Sequence, residues 1–328
     1  MLVSEVMLQQ TRVEAVAPRF EAFLRRWPTP AALAAAREED VVAAWSGLGY
    51  YRRARLLHAA ARALVERHGG RFPRDAAALR ELPGVGEYTA GAVGSLALGL
   101  PLPLVDGNVA RVLSRLFAVR GDPRSGAAAR RIRELAAALV PARGAGAWNE
   151  ALMELGALVC VPATPHCAAC PLAGECRALA AGLEERLPEL PARKAARPVR
   201  LAAALVVDDA GRTLLLRRPD GGLLGGTFEL PHAEVGEGSD PAAALQGALR
   251  ATLGGRWEVG ERRATVRHAI LDRRITLDAF DARPAGPRRA RPVGSVYAAA
   301  GDLPSLPLSS LVTKTLAGAA RGVRRRSR

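Results

Sequence analysis

The chain has 328 residues, with 47 Lys and Arg against 32 Asp and Glu and a formal charge of +15. That length predicts two domains, each able to bury its own core, and the cationic excess favours a polyanionic partner, although the Arg-rich end Arg324-Arg325-Arg326 inflates it. Four cysteines and no charged-then-apolar leader point to the reducing cytoplasm rather than a disulfide framework, and no apolar run reaches the roughly 18 residues of a membrane span.

Residues 2 to 24 carry Val3, Val6, Met7, Val13, Val16 and Phe20 at helical spacing, with no N-cap before them. Glu5 sits among these apolar neighbours. Gln9-Gln10-Thr11 follow, three polar residues that a structural helix face does not require; a solvated face is the plainer reading of each. Helical spacing continues from Ala31 to Ala44, until Trp45-Ser46-Gly47-Leu48-Gly49-Tyr50-Tyr51 breaks it with two glycines and three aromatics. Followed by Arg52, Arg53 and Arg55, such a loop can wedge between bases while guanidiniums meet phosphates. A packed loop is the alternative.

From Leu82 the sequence runs Leu82-Pro83-Gly84-Val85-Gly86-Glu87-Tyr88-Thr89-Ala90, then a small-residue apolar helix, then Val105-Asp106-Gly107-Asn108. A Pro-Gly-x-Gly hairpin between helices exposes backbone N–H groups at the start of the second helix, a geometry suited to a phosphate. A carboxylate a short helix away brings chemistry on DNA to mind. The competing reading is an ordinary helix-turn-helix connection with a capping Asp.

Helices predicted over Ala127 to Val140 and through Trp148 to Leu158 lead to Cys160, Cys167, Cys170 and Cys176, spaced C-x6-C-x2-C-x5-C within 17 residues. Thiolates so crowded point to a metal, and zinc and a 4Fe-4S cluster both accept four. Zinc ribbons usually offer two well-separated C-x2-C knuckles, whereas one compact loop can wrap a cube. Around Glu184 to Arg200 the composition turns to Pro188, Pro191, Pro198 and basic residues, a linker. Beyond it, Leu201 to Val207 and Thr213 to Arg217 predict strands joined by Asp208-Asp209-Ala210-Gly211, and Ser239-Asp240-Pro241 starts a helix.

Together, Glu5 with Met7-Leu8-Gln9-Gln10-Thr11, the Gly47 to Tyr51 loop, the Leu82 to Ala90 hairpin, Leu104 to Val109 and the cysteine loop closely resemble the adenine DNA glycosylase (MutY) family of the helix-hairpin-helix DNA glycosylase superfamily. The resemblance implies a mainly α glycosylase domain over 1–183 with a 4Fe-4S loop at 160–176. A linker at 184–199, an α+β Nudix (MutT)-like lesion-recognition domain at 200–320 and a basic tail at 321–328 follow. Endonuclease III shares the fold, but it carries a Lys where this chain has Tyr88. Without that amine, no Schiff base is expected and the chain resembles the monofunctional branch.

Breaking an N-glycosidic bond calls for an acid that protonates the leaving base and a carboxylate that stabilises the sugar's oxocarbenium-like charge. Glu5, among apolar residues, is suited to holding a proton. By resemblance it protonates adenine at N7, while Asp106 stabilises the cationic sugar or bonds transiently to C1′. Asn108 and Tyr88 match residues that support these acids, and Glu150 matches a position that contacts the flipped adenine. Gln10, Thr11, Leu48 and Tyr50 match residues at the opposite base, while Gly84 and Gly86 belong to the DNA-gripping hairpin. The implied partner is duplex DNA carrying A:8-oxoguanine or A:G mispairs, bound by a monomer in the cytoplasm, nucleoid-associated in a bacterium.

From Pro241 to Leu253 there is no acid, so the Mg²⁺-binding glutamates of a Nudix hydrolase are missing and a recognition module is left. Two stretches depart from the family. Its lesion-reading Phe-Ser-His loop follows an Arg-His pair, yet Arg267-His268 precede Ala269-Ile270-Leu271-Asp272-Arg273-Arg274, where Asp272 and Arg273 are substitute hydrogen-bonding groups. A Leu-Pro-Trp-Arg-like element that precedes the matched region in the family is absent, which reads as a truncated or misassigned start. The rival functions are an endonuclease III-like or mismatch thymine glycosylase, and a catalytically impaired DNA-binding iron-sulfur protein.

Overall fold

The structure, a computed structural model, describes the backbone of all residues except 193–194, 220, 223, 287–292 and 327–328, and no side chain from 321 onward. The linker residues 193–194 and the last two residues of the basic tail therefore lie outside the described residues. By contacts the chain divides discontinuously: Met1–Ala35 with Leu56–Arg193 form one unit, and Ala36–Arg55 with Lys194–Arg328 form the other.

The first unit is helical. The apolar spacing over residues 2 to 24 is realised as two helices, α1 (Leu2–Leu8) and α2 (Val13–Arg26), rather than one. The break falls on the polar run, where Gln10 turns into left-handed space at φ 53. The predicted helix from Ala31 to Ala44 is likewise divided, into α3 (Pro30–Ala34) and α4 (Glu38–Ala44), the latter in the second unit. Thr29 caps α3 by accepting from Ala32 N–H at 3.1 Å, with Pro30 at the first helical position. Arg37 is extended and pairs with Asp40, which fixes the start of α4.

Next come α5 (Arg52–His68), which crosses between the units, α6 (Ala76–Arg80) and α7 (Glu87–Ala92), which continues into a π-helical turn at Val93–Ala97. α8 (Gly107–Leu116), α9 (Gly126–Leu139), α10 (Ala145–Glu154) with a second π turn at Leu155–Val159, and α11 (Arg177–Ala180) complete the unit. Its core joins Val109, Val112 and Leu113 of α8 to Ile132 and Ala136 of α9 and Leu152 of α10. Leu113 is fully buried, so cutting it to Ala removes about 2–5 kcal/mol. Packing is close enough at Gly91 that a β-carbon there would lie 2.3 Å from the Pro103 carbonyl oxygen. This seats α7 against the extended segment that leads into Asp106.

The second unit is α+β. Its strands are β1 (Arg197–Leu205), β2 (Thr213–Arg217), β3 (Phe228–Glu229), β4 (His232–Glu234), β5 (Trp257–Ile270), β6 (Arg273–Pro284) and β7 (Ser295–Ala298), with α12 (Pro241–Leu253) and α13 (Ser310–Arg326). One sheet runs β4-β1-β6-β5, with β1 and β6 parallel, and a smaller one runs β3-β2-β7. Period-two alternation makes β1 central. Val199, Ala203 and Leu205 face a core shared with Leu311, Val312 and Ala319 of α13, whereas Ala202 and Ala204 face one shared with Leu245 and Leu249 of α12. Asp240 caps α12 as predicted, accepting from Ala243 N–H at 2.9 Å. The Arg267 to Arg274 stretch is a hairpin between β5 and β6, with Leu271 at its tip, 65% exposed and at φ 53.

Candidate active site

Two acids far apart in sequence are brought to one tyrosine. Tyr88, in the first turn of α7, donates its hydroxyl to Oε2 of Glu5 on α1 at 2.9 Å. Burial pushes the phenol well above its ordinary value, and the Glu5 and Asp106 carboxylates push it further, so the hydroxyl stays a donor through the working pH range.

Asp106 is the N-cap of α8: Oδ1 accepts from Val109 N–H at 2.7 Å and Oδ2 from Nδ2 of Asn108 at 3.1 Å. Both oxygens are held, and the carboxylate is directed by the helix it caps. Asn108 is held in turn, since its Oδ1 accepts from Nη2 of Arg111 at 2.9 Å. Arg111 also donates to the carbonyls of Gly156 and Cys160, both at 2.7 Å. Burial pulls its guanidinium below its ordinary value, while Cys160 and Asp106 oppose the shift and Arg115 adds to it.

A cleft of about 930 Å³ opens here, lined by Gln9, Gln10, Tyr88, Val105 and Asp106, with Arg80, Arg124 and Arg133 along it. Asp106 and Tyr88 in the lining, with Glu5 hydrogen-bonded to the Tyr88 hydroxyl, and guanidiniums along the walls suit an anionic polymer whose reacting atom meets Asp106. Gln9 reaches the hairpin helix by donating to Oγ1 of Thr89 at 3.4 Å. In the hairpin, Gly84 is left-handed at φ 77, and a β-carbon on it would lie 2.7 Å from that of Leu56. Gly86 is exposed and stands at the N-cap of α7. Thr11 is half-buried beside Gln9, whereas Leu48 and Tyr50 belong to the second unit.

Glu150 is exposed on α10 and is not among the residues lining the cleft. Its neighbour Asn149, missed from the sequence, is 2% exposed and pins the approach to Asp106. It donates to the Leu102 carbonyl and to Oγ of Ser95, both at 2.9 Å, and accepts from Leu104 N–H at 3.3 Å. An Asn beside a Trp on an otherwise apolar helix face was the available signal. Arg111 and Arg115 were also missed; their three- and seven-residue spacing from Asn108 along one helix was the sign.

All four cysteines are free and half-buried. Burial raises the Cys167 thiol first, then Glu184 and the other three cysteines, so Cys167 lies within electrostatic reach of the other three. Among the described residues no three His, Cys, Asp or Glu side chains close on a single-ion point. Arg115, 2% exposed, donates to the carbonyls of Leu187, Cys160, Val161 and Pro162 and, at 3.3 Å, to the Cys160 sulfur. A buried cation against the first of four neighbouring cysteines fits an anionic tetrathiolate group.

Residues 3–138 match the HhH-GPD superfamily of base excision DNA repair proteins, and residues 202–318 match the NUDIX domain. The chain is 40% identical over 274 residues to the adenine DNA glycosylase of Homo sapiens, which aligns 70% of this chain with 50% of that protein. It is 46% identical over 181 residues to that of Mycolicibacterium smegmatis, covering 55% of this chain and 61% of the other. A solved thermostable thymine-DNA glycosylase superposes on 55% of this chain and 83% of its own, at 30% identity and a TM-score of 0.50. The chain spans about half the length of the first curated relatives it matches.

Proposed function

We propose that the chain, which matches the HhH-GPD superfamily over residues 3–138 and is similar to curated adenine DNA glycosylases, belongs to the adenine DNA glycosylase family and hydrolyses the N-glycosidic bond of adenine mispaired in duplex DNA without cutting the strand. The observation that carries this reading is the Glu5–Tyr88–Asp106 arrangement: a phenol that donates to one carboxylate and lies within electrostatic reach of a second, with no amine at position 88.

Glu5 delivers a proton to N7 of the flipped adenine, oriented for this by the Tyr88 hydroxyl. The base then leaves neutral. Asp106, fixed by Val109 and Asn108, faces the sugar and stabilises its developing positive charge or bonds transiently to C1′. A carboxylate already held by hydrogen bonds needs little reorganisation as that charge develops. Gly84 and Gly86 of the hairpin grip a phosphate, and Glu150, outside the cleft lining, is assigned to the adenine by the family resemblance alone. Gln10, Thr11 and Tyr50 are the residues assigned to the opposite base, which is 8-oxoguanine or guanine, whereas Leu48 is buried within its loop. The enzyme acts as a monomer in the cytoplasm, and residues 1–183 and 200–320 are its catalytic and lesion-recognition domains.

Cys160, Cys167, Cys170 and Cys176 would hold a 4Fe-4S cluster, which would cross-link the loop and, together with its four thiolates, carry a net negative charge. Arg115 sets its positive charge against that anion and ties the loop to α8. An anaerobic preparation should contain iron and sulfide and be brown; zinc alone would overturn the cluster.

Excision is tested on duplexes pairing adenine with 8-oxoguanine, guanine or cytosine, followed by alkali. Release opposite 8-oxoguanine and guanine is expected to exceed that opposite cytosine. Equal release opposite all three rejects the opposite-base reading, and no release from any rejects the activity.

A further inference from the structure

The Gly47 to Tyr51 loop is wound into left-handed backbone space three times in four residues: Gly47 at φ 86, Gly49 at φ 69 and Tyr50 at φ 48. Glycine adopts such angles freely, but a tyrosine there costs on the order of 1–3 kcal/mol and persists only where its surroundings hold it. Tyr50 is nevertheless 43% exposed, so its own burial is not what holds it.

The holding group is Arg53. The residue is 9% exposed, and Nη2 donates to the carbonyls of Leu48 at 3.1 Å and Gly49 at 3.2 Å. The guanidinium carbon lies 5.6 Å from the ring centroids of both Trp45 and Tyr50. Trp45, fully buried, adds a second bond to Gly49 from Nε1 at 3.2 Å, and the Tyr51 hydroxyl fixes the far end by donating to the Leu308 carbonyl at 2.6 Å. Leu48 is 5% exposed. As clamped, the loop buries the leucine and presents the tyrosine ring.

We propose that Arg53 is a positioning residue for Tyr50, locking the strained loop so that the ring stands ready to stack before DNA arrives; this rests on the reading of Tyr50 as an opposite-base residue. Only a planar guanidinium satisfies the geometry, because it lies against aromatic faces while aiming N–H groups at adjacent carbonyls. An ammonium offers a point charge with no face. A ring fixed in advance avoids the ordering cost that binding would otherwise carry.

The chain has four tyrosines, so the full-length protein labelled with 3-fluorotyrosine gives a small fluorine NMR spectrum in which Tyr50→Phe identifies the Tyr50 line. In Arg53→Met, and in the milder Arg53→Lys should Met unfold the protein, that line is expected to move and sharpen while the others stay. An unmoved Tyr50 line overturns the proposal, and this measurement needs no DNA or activity. A double-mutant cycle on duplex affinity at fixed salt, with an uncleavable adenine analogue opposite 8-oxoguanine, provides the second readout. Arg53→Met and Tyr50→Ala are each expected to weaken binding by about tenfold, and Arg53→Met to add nothing once Tyr50 is gone. Additive losses also overturn the proposal. Failure of the wild type to release adenine would sink the proposed function and leave the fluorine result standing.

Discussion

The hydroxyl of Tyr88 donates to Oε2 of Glu5 at 2.9 Å, across 83 residues of sequence, and the same phenol feels the charge of Asp106. In the proposed mechanism each acid has its own task, so removing either should stop the reaction at a different point. Glu5→Gln removes the proposed proton donor and Asp106→Asn the charge proposed to stabilise the sugar. Each is expected to lower single-turnover adenine release by at least about a hundredfold, with mismatch affinity largely retained. Full activity in either variant would remove that residue from the mechanism.

Tyr88 itself admits two substitutions with opposite readouts. Tyr88→Phe leaves the ring but takes a hydrogen bond from a carboxylate, worth about 1.5–3 kcal/mol, or roughly a ten- to hundredfold loss in rate. Tyr88→Lys places an amine where the proposed mechanism brings the sugar. It is expected to give strand nicking without alkali, trapped by borohydride as a covalent protein–DNA adduct. A gel with uncut product before alkali would show that the amine does not reach C1′.

The local features of this site were legible because their causes are local. The Pro83-Gly84 turn, Asp106 as a helix cap and Asp240-Pro241 as a helix start each follow from a few adjacent residues. Residues held by distant partners were not legible. Arg111 and Arg115 look like a solvated face of α8, yet they are drawn inward by carbonyls of a π turn and a cysteine loop more than forty positions later. Polar Gln9-Gln10-Thr11 gave no sign of a helix break, because a left-handed glutamine has no sequence signature. Leu48 belongs to the wedge-like motif, but the clamp around Arg53 buries it.

The π turn places Gly156 against the residue that holds Asp106. A β-carbon at Gly156 would lie 2.6 Å from that of Asn108 and 3.0 Å from its carbonyl, distances at which backbone must shift. Gly156→Ala is therefore expected to cost about 1–3 kcal/mol of stability. It should also slow adenine release by displacing Asn108 and loosening Asp106. Denaturant unfolding and single-turnover kinetics measure the two effects separately; an alanine variant with wild-type stability would mean that α8 and the π turn can part without strain.

His268, half-buried in the second unit, carries a pH dependence of its own. Burial, and secondarily the charge of Lys314, hold its imidazole below the ordinary value of 6.5. The unfolded chain, titrating near that ordinary value, then binds more protons than the folded chain in the window between the two values. Stability is consequently complete above about pH 6.5 and is lost as pH falls through that point toward the folded value. Thermal unfolding of the full chain should show the second unit melting at lower temperature near pH 5 than near pH 8. His268→Gln removes the titrating group and should flatten that dependence, while Lys314→Met should leave it weaker but present, since burial is the larger cause. A His268→Gln protein that keeps the full acid sensitivity would assign it to other groups.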